Sequence, residues 1–132
     1  MRPGIGVGGY CLSKDPNFAI TSVKKIFNKN INFLFVNLTM KTNKNMPNTS
    51  FEFIKDKMGK INNKKFLILG IAYKDGVGDY RNSPSFDLIK HLTQANVQVS
   101  FEDPFYKKTK KMKLKINYVK NFKFHNFDAV VF

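Results

Sequence analysis

The sequence predicts an α/β protein in which a helical segment precedes an incomplete parallel β-sheet. Apolar residues recur at helical spacing as far as Met58, whereas residues 65–70 and 97–101 are short apolar or alternating runs typical of strands. Between those two strands, Ser83-Pro84 begins a third helical pattern. A strand, a helix and a second strand in this order form the repeating unit of a parallel, doubly wound sheet.

Two helices are predicted before the sheet. Asp15-Pro16 combines a favoured N-cap with a favoured first helical residue, and apolar residues follow at helical spacing over about 16–28. Residues 32–58 are also predicted to be helical, as one long element that bends near Pro47, because proline is a common cause of helix kinks.

The sheet is predicted to contain three strands. Residues 65–70 form an apolar run of the kind that is buried on both faces, and residues 71–82 form the loop that follows. The alternating residues 97–101 and the apolar residues 128–132 supply the other two strands. A lysine-rich loop precedes the third strand, and the sequence ends within that strand.

The strong positive charge has two interpretations. Lysine and arginine together number 23 against 9 acidic residues, which gives a net charge of +14 and suggests a nucleic-acid partner. However, only Arg2 and Arg81 are arginine, the residue best suited to paired hydrogen bonds with phosphates and bases. The many lysines, asparagines and phenylalanines are also what drift in base composition would produce. We therefore expect no specific nucleic-acid partner. A solvated loop is expected for the lysines at positions 107, 108, 110, 111, 113 and 115.

Composition excludes several classes of protein. With 132 residues, of which 42% are hydrophobic, the chain can build one core, so wholesale disorder is not expected. No apolar run approaches the roughly 20 residues that span a bilayer, and the N-terminus lacks the apolar region of a secretory signal. Cys11 is the single cysteine, and His91 and His125 have no partners at metal-ligand spacing. We expect a soluble, cytoplasmic protein without a disulfide framework, a metal or a membrane contact.

Cys11 lies in a segment whose composition suits nucleophilic chemistry. Four glycines within residues 2–9 suit a backbone that passes close to a ligand. Lys14 and Asp15 follow the thiol at the predicted start of a helix, and both the ammonium and a helix N-terminus favour the nucleophilic thiolate. A carboxylate such as Asp15 can orient or activate water. A free cysteine is also a small apolar residue that is often buried, so both interpretations stay open.

The loop after the first predicted strand, residues 70–84, is a second candidate site. Open α/β sheets bind ligands at the carboxyl ends of their strands. Lys74 and Arg81 can hold phosphates there, together with the N-terminus of the helix that begins near Pro84. The loop lacks the G-x-G-x-x-G pattern of dinucleotide sites, so an ordinary solvated loop is the alternative.

Four strings of residues give these segments a family resemblance. In chain order they are GVGGYCLSKDP, MPNTSFEFI, KFLILGIAYKDGVGDYRNSPSFDLIKHL and VQVSFEDP, and the closing DAVVF fits as well. They resemble the UDP-glucose/GDP-mannose dehydrogenase family of NAD-dependent nucleotide-sugar dehydrogenases over most of residues 3–104. The resemblance implies a fragment. Residues 1–60 would end the helical central dimerisation domain, and residues 61–132 would be part of the C-terminal, Rossmann-like UDP-sugar-binding domain.

The resemblance also implies a chemistry, an oxidation of the sugar to a uronic acid with two NAD. Cys11 would capture the aldehyde formed from the sugar 6-hydroxyl, and loss of hydride would give a thioester. Water, activated with help from Asp15, would then release the acid. Lys14 and Arg81 would lie near the NAD phosphates. The nucleotide-sugar site would be lined by Gly4, Gly6, Gly8, Tyr73 and Lys74.

The sequence leaves open which sugar is bound and where the NAD-binding domain comes from. UDP-glucose and UDP-N-acetylhexosamine enzymes differ at the position of Tyr10, so the sugar is unresolved. The NAD-binding domain of complete relatives, which are homodimers, is absent from this sequence. We therefore expect the chain to be inactive alone, unless a separate chain supplies that domain. The alternatives to a dehydrogenase fragment are a small basic nucleic-acid-binding module and a non-catalytic partner that dimerises through residues 32–58.

Overall fold

A computed structural model describes residues 4–106 and 116–132 of the chain. The helices are α1 (Cys11–Lys14), α2 (Pro16–Lys25), α3 (Leu34–Met58) and α4 (Pro84–Gln94). The strands are β1 (Lys65–Leu69), β2 (Gln98–Glu102), β3 (Asn117–Tyr118) and β4 (Ala129–Val131), and a short 3-10 helix spans Phe124–Asn126. The predicted α/β class, with helices preceding a parallel sheet, is confirmed.

The four strands form one parallel sheet in the order β3-β2-β1-β4. In the central strand, Phe66 pairs with Val99 of β2 on one side and with Ala129 of β4 on the other. The order of strands therefore reverses between β1 and β4. Such a reversal opens a crevice outside the carboxyl ends of the two strands, which is where doubly wound proteins bind ligands.

The hydrophobic core lies around the central strand and α4. Its largest fully buried apolar side chains are Phe66, Leu67, Ile71, Leu88, Ile89, Leu92 and Phe101. The three middle residues of β1 are all buried, which confirms the prediction that this strand is covered on both faces. Phe51, Ile54 and Met58, from the C-terminal half of α3, pack against the same core. α3 is thereby fixed relative to the sheet.

Two helix starts were predicted from a capping residue followed by proline, at Asp15-Pro16 and at Ser83-Pro84. The structure confirms the cap only at the second. Ser83 caps α4 as predicted, because its Oγ accepts a hydrogen bond from the Ser85 N–H at 3.3 Å. Pro16 begins α2, but the prediction that Asp15 acts as its N-cap is wrong. Asp15 has helical backbone angles, and its N–H donates to the Cys11 carbonyl at 3.2 Å because α1 ends there. A residue that completes one helical turn cannot take the extended conformation of a normal N-cap.

Element boundaries account for most of the remaining differences. α2 ends at Lys25 rather than near 28, and Asn28 has a positive φ of 49°. α3 begins at Leu34 rather than at 32 and continues through Pro47.

One strand was missed. The predicted third strand is β4, the fourth in chain order, because the two-residue β3 was not predicted. The lysines at 107–115 lie outside the described residues. Within residues 4–106 and 116–132, no helix has both the length and the hydrophobicity needed to cross a bilayer.

Candidate functional site

A cavity of about 430 Å³ lies at the carboxyl ends of β1 and β4, and we call it the switch-point crevice. Leu69 and Gly70 line it from the end of β1, and Val131 lines it from β4. Residues 4–9, which we call the glycine loop, contribute Gly4, Ile5 and Gly6. The predicted position of a ligand site, beyond the first strand, therefore coincides with a cavity of ligand size.

The crevice contains features that favour an anion. Ser83, Pro84 and Ser85 form its lining at the first turn of α4, where the helix dipole favours negative charge. Pro84 has no N–H, and the Ser85 N–H already donates to the Ser83 side chain. Lys74 contributes an ammonium group, and Asp75 and Asp103 also line the crevice. The 11-residue length of α4 is sufficient for a helix dipole to act at that end.

Asp103 holds together the two loops at this edge of the sheet. The residue is 2% exposed. Its Oδ2 accepts hydrogen bonds from the N–H groups of Ile71 and Ala72 at 2.9 and 3.2 Å. Its Oδ1 accepts from Phe105 and Tyr106 at 2.8 and 3.1 Å. Because four backbone donors satisfy both oxygens, this carboxylate is compatible with burial next to an anion site.

The glycine loop packs directly on the loop that follows β1. A Cβ at Gly8 would lie 2.6 Å from the Cβ of Tyr73, so only glycine fits there. The Gly9 N–H donates to the carbonyl of Arg81 at 3.1 Å, and the Asn82 side-chain amide donates to the carbonyl of Gly9 at 3.2 Å. The two candidate segments found in the sequence are therefore neighbours.

Arg81 links Asp79 to Tyr10. Its Nε and Nη2 atoms donate to the Asp79 carboxylate at 2.9 and 2.5 Å, and its guanidinium carbon lies 4.8 Å from the centre of the Tyr10 ring. Hydrogen bonding to Arg81 lowers the pKa of Asp79, and the same contact raises the pKa of Arg81. The charge of Arg81 is thus shared with a carboxylate within its own loop.

Cys11 is exposed and is the first residue of α1. The thiol precedes α2, which begins at Pro16 as predicted, and it also lies at the start of the one-turn helix α1, which was not predicted. Its exposure argues against the alternative in which the thiol is buried in the core. Asp15 lies one helical turn further on, and side chains four residues apart on a helix share a face.

A second cavity, of about 690 Å³, adjoins the first, and we call it the cationic cleft. It is lined by Lys14, by Lys41 and Lys44 of α3, and by Asp87 of α4. Three ammonium groups and one carboxylate give it a net positive charge, which attracts anions. The ammonium of Lys14 lies 5.4 Å from the centre of the Tyr10 ring.

The site residues predicted from the sequence fall into three groups. Gly4, Gly6, Tyr73 and Lys74 line the switch-point crevice. Lys14 lines the cationic cleft, and Gly8 packs behind the crevice against Tyr73. Neither cavity is lined by Cys11, Asp15 or Arg81.

Three polar residues that were not predicted from the sequence organise the site: Asn43, Asn82 and Asp103. An aspartate followed by proline at a strand end is a turn signal, so Asp103 was open to prediction. Asn43 gave no local signal, because its partner Val7 is 36 positions away in the chain.

The chain is similar to one family of proteins both in a family model and in individual relatives. Residues 67–132 match the family described as "UDP-glucose/GDP-mannose dehydrogenase family, UDP binding domain". The chain is 32% identical over 111 residues to UDP-N-acetyl-D-mannosamine dehydrogenase of Pyrococcus horikoshii, an alignment that covers 81% of this chain and 25% of that protein. It is 30% identical over 105 residues to UDP-glucose 6-dehydrogenase of Rickettsia felis, covering 79% of this chain and 23% of that protein.

The fold is also found in a solved structure. A UDP-glucose dehydrogenase from the hyperthermophilic archaeon Pyrobaculum islandicum superposes with a TM-score of 0.77 at 22% identity, covering 89% of this chain and 27% of that chain. At this level of identity the likeness concerns the fold alone. The chain spans about a quarter of the length of the curated relatives that it matches.

Proposed function

This chain belongs to the UDP-glucose/GDP-mannose dehydrogenase family, and we propose that its switch-point crevice binds the uridine diphosphate part of a nucleotide sugar. The observation that carries the proposal is the meeting of the glycine loop, the first turn of α4 and Lys74 around one cavity. Its volume of about 430 Å³ lies within the range of small-ligand sites.

Each of these features has a separate part in holding a diphosphate. The first turn of α4 offers a favourable helix dipole. Lys74 supplies a full positive charge that no carboxylate among the described residues pairs with at salt-bridge distance. Gly4 and Gly6 present backbone without side chains, so the ligand can approach the loop closely. The neighbouring Tyr73 contributes apolar surface for the nucleoside.

We also propose that Cys11 and Asp15 contribute to oxidation of the sugar in the assembled enzyme. The exposed thiolate would add to the 6-aldehyde, forming a C–S bond, and loss of the aldehyde hydrogen as hydride would leave a thioester. Water, deprotonated with help from Asp15, would cleave the C–S bond, releasing the uronic acid and the thiolate. The helical register of α1 supports this assignment, because it presents both side chains on one face.

NAD is the oxidant that this scheme requires, and when bound it would accept the hydride. The cationic cleft fits its phosphates, because Lys14, Lys41 and Lys44 line one concave surface. Lys14 is therefore the residue we assign to the cofactor. Arg81 fits less directly, since Asp79 already shares its charge.

The remaining parts of the enzyme are proposed to be supplied by other protein surfaces. Leu34, Phe35 and Leu38 of α3 are 71%, 81% and 62% exposed, which is unusual for three apolar residues in one turn. We assign this turn to a dimer contact. An NAD-binding domain, which lies outside the residues described, would complete the active site. Glucose and N-acetylhexosamine both remain candidate sugars.

The proposal is tested by titrating the purified chain with UDP, followed by calorimetry or by NMR shifts. We expect saturable binding that weakens at least tenfold in Lys74→Met, since an ammonium–phosphate contact contributes roughly 1.5–3 kcal/mol. Lys90→Met is the matched control, because Lys90 is exposed on α4 and lines neither cavity. Absence of saturable UDP binding, or an equal loss in both variants, would rule out the crevice as the site.

A further inference from the structure

We propose that Asn43 is a positioning residue that holds the glycine loop in the conformation required by the switch-point crevice. This inference rests on the proposed binding of a nucleotide diphosphate in that crevice. Asn43 lies near the middle of α3, far from the loop in sequence, and nothing in its neighbourhood along the chain marks it as functional.

Both polar atoms of the Asn43 side chain engage one residue of the loop. Its Oδ1 accepts a hydrogen bond from the Val7 N–H at 2.7 Å, and its Nδ2 donates to the Val7 carbonyl at 2.8 Å. A side-chain amide offers an acceptor and a donor side by side without carrying a charge. The pair clamps the backbone of the loop to α3.

The clamp acts next to a glycine with a positive φ and little free space around it. Gly6 has a φ of +135°, and a Cβ there would lie 3.3 Å from the Cβ of Pro84 and 3.4 Å from the backbone carbonyl of Asn43. The loop is therefore held between α3 and the start of α4. Gly6 lines the switch-point crevice, whereas Val7 and Asn43 line the cationic cleft. Asn43 thus acts on the crevice through the loop, without lining it.

The Asn43→Asp variant distinguishes a role in positioning the glycine loop from a merely structural role of Asn43 in α3. As a carboxylate, Asn43→Asp would place a second oxygen against the Val7 carbonyl, whereas the protonated acid restores the donor–acceptor pattern of the amide. The charged groups that line the cleft around this position are Lys14, Lys41, Lys44 and Asp87. Their net positive charge favours the carboxylate and the Val7 carbonyl opposes it. The protonated form of the introduced aspartate therefore becomes populated as the pH falls toward the ordinary aspartate pKa of about 3.9.

The experiment measures UDP affinity for Asn43→Ala, Asn43→Asp and the control Asn45→Ala, each relative to the parent protein at the same pH. Asn45 is an exposed asparagine of the same helix, and its amide contacts only Thr49. At pH 7.5 we expect at least a fivefold loss for both Asn43 variants and no change for the control. At pH 4.5, where part of the aspartate is protonated, the loss for Asn43→Asp should be smaller than at pH 7.5, whereas that for Asn43→Ala should persist.

Hydrogen exchange at the Val7 amide supplies a readout that needs no nucleotide. We expect at least fivefold faster exchange in Asn43→Ala and an unchanged rate in Asn45→Ala. If the parent protein binds no UDP, the proposed function fails, and Val7 exchange still decides whether the clamp exists. If the parent protein binds UDP but Asn43→Ala matches it in affinity or in Val7 exchange, the inference about Asn43 is overturned while the proposed function stands.

Discussion

Gly8 lies against Tyr73 so closely that the two residues leave no space for a methyl group between them. A Cβ at Gly8 would be 2.6 Å from the Cβ of Tyr73 and 2.7 Å from the backbone carbonyl of Asn82. Neither atom is the end of a flexible side chain, so neither can move aside without a backbone shift. The contact joins the glycine loop to the loop that follows β1.

We therefore expect Gly8→Ala to lower the free energy of unfolding by about 1–3 kcal/mol, the usual cost of overpacking. Gly4→Ala is the matched control, because a Cβ there meets nothing within 4 Å. Urea unfolding followed by circular dichroism compares the two variants. Equal free energies of unfolding for the two variants would mean that the close packing at Gly8 does not limit stability.

Asp103→Asn is expected to destabilise the chain by about 2–4 kcal/mol, because an NH₂ group would face two backbone N–H donors in place of an acceptor. Thermal or urea unfolding measures the loss. Asp56→Asn serves as the control, since Asp56 forms only an exposed ion pair with Lys57 at 3.8 Å. A cost for Asp103→Asn no greater than that of the control would show that the four hydrogen bonds do not stabilise the loops.

The pKa of the Asp128 carboxyl group is expected to lie below the ordinary value for aspartate. The main cause of its lowered pKa is the hydrogen bond from the Lys65 N–H, at 2.8 Å, and a weaker cause is the Lys64 ammonium. Since the pKa is lowered on folding, the group stabilises the protein above the ordinary value of 3.8, and this contribution is lost as pH falls through the lower native value.

Carboxyl-carbon NMR should therefore place the midpoint of Asp128 below 3.8. The destabilisation caused by Asp128→Asn should be full at pH 7 and should decline at strongly acidic pH. Lys64→Gln should leave most of the lowering in place, because the backbone hydrogen bond is the larger cause. A midpoint at or above the ordinary value would contradict the assignment.

The exposed turn of α3 leads to a prediction about self-association. Leu34, Phe35 and Leu38 form an apolar surface on one side of the helix, and such surfaces favour association. Sedimentation velocity should show concentration-dependent association that decreases in a Phe35→Gln/Leu38→Gln variant. Phe53→Gln is the control, since Phe53 is comparably exposed in the opposite half of α3. A parent chain that stays monomeric over the concentration series would exclude this surface as a contact.

The features predicted correctly from the sequence are those that local interactions determine. The buried strand β1 is marked by its continuous apolar run, and the start of α4 by a serine that caps it and the proline that follows. The likeness of the glycine loop and the loop after β1 to one family also predicted that both serve one site. The packing of Gly8 on Tyr73 makes the two loops neighbours, and their shared function stays a prediction.

The features that were missed depend on contacts between distant parts of the chain. β3 contains only Asn117 and Tyr118, and it is a strand because it pairs with β2 rather than through its own composition. Asn43 and Asp103 act on residues 36 and 32 positions away, respectively. α1 is a single turn, too short to show a hydrophobic period, so the helical position of Cys11 could not be predicted.

The order β3-β2-β1-β4 also has a consequence for how the chain folds. β1, α4 and β2 are consecutive, so the pairing of β1 with β2 closes a shorter stretch of chain than the contact between Lys65 and Asp128, which lie 63 positions apart. Loop-closure entropy makes the second pairing slower to form. The β1-α4-β2 unit is therefore the natural folding nucleus, and the arrival of β4 is a late event. Since β4 lines the switch-point crevice, the ligand site would be completed only in the last step of folding.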